Sequence, residues 1–324
     1  MAVLFAGTRL EHFTAGQVPT DANPFSAEHT TAFVDSAFVS AGVRVRYGSY
    51  ISAEFAEQQT MSIGFRLHME DPPDSRNDDP LVELYDAAGD LVLAMDTDNG
   101  VCFLKWGDRS TKISPNVVPT DGSVTHFVIQ YSRDATTGKV RLFRDTRLII
   151  DFEGDTTWGT TTGIASFRLH AARRWTQWDT FSEVVVLDEL GAVGHRLCDI
   201  LPNAAGFHSG WTGAFGDVTD GSTGTTLSTG TAGTLHSFAA SDTVAGDWNV
   251  EALIVGAEGT TGGSPAPENA TLGVRVSGTD YFAAATMPLD GQGHNSMWTT
   301  NPATGLAWTP AEVDAVELLI RAET

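Results

Sequence analysis

The chain is short of cysteine, lysine, long apolar runs and the motifs that hold phosphates or metals. Only Cys102 and Cys198 are cysteines, and neither belongs to a C-x-x-C pair, which disfavours a disulfide scaffold and a cysteine-based zinc site. Lysine occurs only at 105, 112 and 139, and 41 acidic residues face 19 basic ones, for a formal charge of -22. A surface this acidic repels phosphate backbones and anionic lipid, so no nucleic-acid partner is expected. The imbalance is steepest beyond residue 197, where Arg275 and Arg321 stand against 14 acids. No stretch approaches the ~18 apolar residues of a membrane span. The N-terminal MAVLFAGTRLEHF has neither a basic n-region nor a cleavage pattern, so neither a signal peptide nor membrane insertion is expected. The nine histidines never fall into an H-x-x-x-H ligand pair. No G-x-S-x-G, P-loop or G-x-G-x-x-G stands in a strand-turn-helix context.

What the chain has in plenty is glycine, threonine and aromatic residues set in short apolar runs, with 33 Gly, 17 Phe and 8 Trp. That profile predicts an all-β protein. Its length of 324 residues is about twice that of a typical domain, so two cores are expected. Period-2 alternation recurs through the first 195 residues and is clearest in TMSIGFRLHME, where Met61, Ile63, Phe65, Leu67 and Met69 share one face. AAGD and TDNG read as hairpin turns, the second through Asn99-Gly100. Alternation stops near GAVGHRLCDILPNAAGFHSG, which places a first domain at 1–196, a linker at 197–206 and a second domain at 207–324. The fold expected is two antiparallel, jelly-roll-like β-sandwiches in tandem with one short helix near the C-terminus. That helix is signalled by AWTPAEVDA, in which Thr309 is the N-cap, Pro310 takes the first helical position and Glu312 completes a capping box. After it, Val316, Leu318, Ile320 and Ala322 alternate as a closing strand.

Two resemblances add to this reading. DGSVTHFVIQYSRDATTGKVRLFRDTRLIIDFEGD, followed by DTFSEVVVLDE, resembles the concanavalin A-like or laminin-G-like sandwich over roughly residues 30–190, with His126-Phe127 where an aromatic is usual and Thr146 in place of the turn glycine. The closing WTTNPATGLAWTPAEVDAVELLIRAE, with LGVRVSGTDYFAAATMPL upstream, resembles the last module of tailed-phage structural proteins over about 207–324, departing from the usual pattern at Asp314 and Leu319. The second resemblance implies a virion component on a tail, fibre, collar or capsid, made in the host cytoplasm. Its implied partners are other virion proteins, further copies of itself and a host cell-surface polysaccharide. The function expected is therefore non-enzymatic particle assembly and host-surface attachment, with a carbohydrate-binding lectin module or a polysaccharide depolymerase as the alternative.

Candidate sites are few. A glycosidase needs two carboxylates about 5 to 9 Å apart. The odd spacing of Glu83 and Asp86 sends them to opposite faces of a strand, as does that of Asp188 and Glu189, so no catalytic residue is assigned. Asp96, Asp98 and Asn99 begin like a calcium loop, yet they lack its length and its bidentate Glu. The hairpin reading accounts for them, so no cofactor is expected and calcium stands as the alternative. The acids and prolines of EDPPDSRNDD read as a solvated loop. ARRWTQWDT is the candidate binding segment, with Arg173, Arg174, Trp175, Gln177, Trp178 and Asp179 in a loop or at a strand edge, where Trp and Arg favour recognition. The competing reading has one Trp closing the core and the arginines pairing with acids.

Overall fold

The structure is a computed structural model. It describes residues 2–8, 12–17, 27–69 apart from 33, 35, 40 and 47, 79–98, 101–112 apart from 108, 123–157, 162–171, 178–218, 226–262 and 267–324. Packing divides the chain into two compact units, Met1–Leu197 and Cys198–Thr324.

The first unit begins with β1 (Val3–Gly7), β2 (Thr14–Gln17), β3 (Ala27–Thr30), β4 (Gly42–Arg46) and β5 (Ser49–Gln58). It continues through β6 (Thr60–Met69), β7 (Asp79–Tyr85), β8 (Leu91–Asp98), β9 (Val101–Trp106) and β10 (Arg109–Lys112). It closes with β11 (Thr125–Ser132), β12 (Gly138–Arg144), β13 (Arg147–Gly154), β14 (Ile164–His170) and β15 (Trp178–Leu187). Two antiparallel sheets result. One runs β13-β12-β11-β6-β15-β4-β3, with β1 also paired to β15, and the other runs β10-β9-β8-β7-β14-β5-β2. Alternation decides what lies between them: Met61, Ile63, Phe65 and Leu67 of β6 meet Ile51, Val82, Leu84, Phe167 and Leu169 of the other sheet in one core. Rings interlock there, with Phe65 6.0 Å from both Phe127 and Phe181.

Asp98 pairs with Val101, and the Asn99-Gly100 turn expected from the sequence lies outside the described residues. Arg144 pairs with Arg147, and Asp145 adopts φ 55° in the two-residue turn where a glycine would be unstrained.

The second face of β6 is covered as well, because the chain after β15 folds back across the sheet. Gln130 Nε2 donates to the Gly191 carbonyl at 3.0 Å, Gly191 N donates to Ser62 Oγ at 3.2 Å, and Ala192 is fully buried over Gly64. Arg196 locks this strap through Nε and Nη2 bonds of 2.6 and 2.9 Å to Glu183, a residue carried inward by a bulge at φ 49°. Arg66 Nε lies 2.8 Å from the same carboxylate.

The second unit holds β16 (Pro202–Ser209), β17 (Leu235–Ala240), β18 (Leu253–Thr260), β19 (Asn269–Val276) and β20 (Thr279–Phe282). After them come β21 (Met287–Pro288), β22 (Asp290–Trp298), α1 (Pro310–Asp314) and β23 (Glu317–Glu323). The larger sheet runs β16-β17-β23-β19-β20, with β21 on β19, and β18 pairs with β22. The linker expected at 197–206 needs correction. Residues 202–206 belong to β16, whose pairing with β17 satisfies backbone groups that a free linker would leave to water. The capping box is complete: Glu312 N donates to Thr309 Oγ1 at 3.3 Å, and Thr309 N donates to Glu312 Oε2 at 2.8 Å. Trp308 is buried beside it and donates its indole N–H to the Trp298 carbonyl at 2.9 Å. Among the described residues no helix is long and apolar enough to cross a membrane. The architecture is all-β, antiparallel and sandwich-like, with a single short α-helix among the described residues.

Candidate functional site

The face of the seven-stranded sheet that points away from the core carries an unusual set of side chains. Because Ile51, Ala53, Val82, Leu84, Phe167 and Leu169 point inward, alternation turns Tyr50, Ser52, Glu83, Tyr85, Arg168 and His170 outward. Register then brings them together. Arg168 stands opposite Glu83 on one side and Ser52 on the other, His170 opposite Tyr50, and Ser166 opposite Tyr85.

Glu83 is the hub. Its Oε2 accepts the Tyr85 hydroxyl at 2.6 Å and lies 2.8 Å from His170 Nε2. Burial pushes the Glu83 carboxyl up, but the hydrogen bonds from His170 and Tyr85 and the charges of His170 and Arg168 outweigh it, so the group ends below the usual carboxylate range. The same contacts act in reverse on Tyr85. Burial, the bond to Glu83 and that carboxylate's charge push its phenol well above the ordinary value, which keeps it a protonated donor.

Arg168 completes the group. Its guanidinium lies 4.7 Å from the Tyr50 ring centroid and 4.6 Å from that of Tyr85, and its Nη1 donates to the Tyr85 hydroxyl at 3.2 Å. Tyr50 also packs 5.4 Å from the His170 ring. The Tyr50 ring lies flat across β2 because residue 16 is glycine: a Cβ there would stand 2.3 Å from Tyr50 Cζ. Further along the same face Lys105, opposite Ala94 and so in the row of Glu83 and Arg168, forms an ion pair with the buried Asp96. Among the described residues no carboxylate makes an ion pair with Arg168, whereas Arg66, Arg141, Arg196, Arg275 and Arg321 each have one. What results is a mixed donor and acceptor surface with two aromatic rings, and no group of three or more potential metal ligands occurs among the described residues.

The residues singled out from sequence fall as follows. Arg173, Arg174, Trp175 and Gln177 lie outside the described residues, in the segment that follows β14 and therefore His170. Trp178 is half-buried at the start of β15, with the Arg44 guanidinium 5.0 Å from its ring. Asp179, the second residue of β15, is buried and paired on both sides, opposite Val45 and Met69. Asp96 is taken by Lys105, while Asn99 and the side chain of Asp98 lie outside the described residues. Glu83 and Asp86 serve different ends: Asp86 Oδ1 accepts from Ala88 N and Asp90 N and closes its hairpin turn. Asp188 accepts from Ala2 N. Sequence reasoning missed Tyr50, Tyr85, Arg168 and His170, whose signal was the alternation of SFRLH and VELY.

No family model matches the chain, and no curated protein does. Among solved structures it is similar to "Cellulose induced protein, Cip1", at TM-score 0.44 and 12% identity over 54% of this chain and 91% of that one. It is also similar to the binding domain of Paraclostridial Mosquitocidal Protein 1, at TM-score 0.43 and 12% identity over 60% of this chain and 50% of that one. A third similar structure is the alginate lyase Aly36B, at TM-score 0.38 and 13% identity over 61% of this chain and 100% of that one. The likeness is remote and one of fold. The outward face of the seven-stranded sheet is thus described by its own side chains.

Proposed function

We propose that the first unit is a carbohydrate-binding module and that the face built by Tyr50, Glu83, Tyr85, Arg168 and His170 is its binding surface. The observation that carries this reading is Arg168, held between two tyrosine rings beside a carboxylate whose Oε1, among the described residues, accepts no hydrogen bond, and with N–H donors that none of those residues takes up. Sugar hydroxyls both donate and accept, and their C–H faces pack on aromatic rings, so a surface that pairs donors and acceptors with rings suits them. Binding without turnover fits the same groups. Glu83 is held below the usual carboxylate range and the Tyr85 phenol well above its ordinary value, which moves both away from the neutral range where acid-base catalysis is most efficient.

A virion role is implied by the resemblance of about residues 207–324 to tailed-phage modules, and the carbohydrate reading accords with attachment to a host-surface polysaccharide. The test is a glycan array probed with the full chain and with Tyr50→Ala, together with a reducing-end assay on every polysaccharide retained. Retention that is lost with Tyr50→Ala, and no new reducing ends, is expected. Silence across the array would sink the reading, and cleavage would replace binding with depolymerisation.

A further inference from the structure

Resting on the carbohydrate reading, we infer that the sugar unit seated at Arg168 is acidic, a pyranose that carries a carboxylate, and that the guanidinium of Arg168 grips that carboxylate. Acidic residues outnumber basic ones by 41 to 19, so a guanidinium on a sheet face would ordinarily be claimed by a neighbouring carboxylate. The nearest one opposite, Glu83, is instead engaged through Oε2 by the Tyr85 hydroxyl and the His170 ring. Among the described residues Arg168 is held by the two tyrosine rings and by a single hydrogen bond, from Nη1 to the Tyr85 hydroxyl.

Two further properties follow from that arrangement. Stacking fixes the plane of the guanidinium, so the fork of Nε and Nη donors is preorganised and less entropy is lost when it binds a planar carboxylate. It also leaves the cation weakly hydrated, which lowers the cost of exchanging water for an anion. A neutral sugar would use one of these donors at a time. A carboxylate takes two at once with charge assistance, roughly doubling the strength of each bond. The overall charge of -22 does not forbid this, because charges beyond about 8 Å are largely screened at physiological salt, whereas direct contacts are not.

The test is titration calorimetry of the full chain in 0.15 M salt with a panel of uronic- and sialic-acid oligosaccharides, their carboxyl-reduced neutral counterparts, and an oligoglutamate of equal charge. At least one acidic sugar is expected to bind tenfold or more tighter than its reduced counterpart and than oligoglutamate. Arg168→Gln should erase that preference, bringing the affinity for the acidic sugar down to that of its reduced counterpart. Should Arg168→Gln fail to fold by circular dichroism, Arg168→Lys, which keeps the charge and loses the fork, should still cut the preference at least threefold. Equal binding of acidic and reduced sugars, equal binding of oligoglutamate, or a preference that survives both variants would overturn the inference while leaving the carbohydrate reading intact. No binding of any sugar would overturn both.

Discussion

Acid should loosen the first unit through one histidine. His126 lies on β11 opposite Arg66, beneath the strap that crosses β6, and is 7% exposed. The charges that act on it are those of Arg66, Arg196 and His195, against the carboxylate of Asp145, while Glu183 holds both guanidinium groups. Burial first, and then the two guanidinium charges, depress its pKa from 6.5 to about 4. The imidazole is therefore neutral in the folded chain over a range where the unfolded chain is already protonated. Stability is complete above pH ~6.5 and falls as the pH drops towards 4, because the unfolded state binds the extra proton. The depression corresponds to a loss of about 2 kcal/mol at pH 5, approaching 3 kcal/mol at pH 4, taking ~1.36 kcal/mol per pKa unit. Urea unfolding at pH 7.5, 6 and 5, read by hydrogen exchange of the β11 amides, measures this. His126→Gln replaces the ring with a neutral polar side chain and should flatten the slope between pH 6.5 and 4.5. If the variant loses stability over that range as steeply as the native chain, the histidine is not the cause and the reasoning fails.

Other outcomes follow from single contacts. Gly16→Ala should reduce sugar retention by tipping the Tyr50 ring off β2, since the new Cβ would meet Cζ at 2.3 Å; unchanged retention in a folded variant would count against the role given to Tyr50. Thr309→Ala removes the cap hydroxyl that Glu312 N needs and should cost the second unit about 1 kcal/mol in thermal unfolding. Trp308→Ala empties a site 3% exposed and should cost about 3–5 kcal/mol, seen as a lower midpoint for the second unit alone. Melting should be indifferent to EDTA, because Asp96 is already neutralised by Lys105; a fall of many degrees would restore calcium to the Asp96 turn.

The strands were legible because their cause is local. Alternation needs only the pleat, and Met61, Ile63, Phe65 and Leu67 face the core as their period requires. Capping is equally local, and Thr309, Pro310 and Glu312 do what their spacing implies. The proposed site is not local: Tyr50 is more than a hundred residues from Arg168 in sequence, and only the order β7-β14-β5 makes them neighbours. The search for paired carboxylates within one strand set Glu83 against Asp86 and so looked along the chain, while the partners of Glu83 are across the sheet at Arg168 and His170 and two positions along its own strand at Tyr85. Strand order depends on which apolar faces meet, and in an antiparallel sandwich many orders bury similar areas. The covered second face of β6 escaped for a related reason. Ser62, Gly64 and Arg66 alternate with the core-facing residues, yet Ser62 accepts a backbone N–H from the strap, Gly64 lies under the Ala192 methyl, and Arg66 pairs with the Glu183 carboxylate of β15 that Arg196 of the strap also holds. A polar or small residue on the outer face of a strand is therefore as compatible with a covering segment as with water. Deciding between them requires knowing where the chain goes after its last strand.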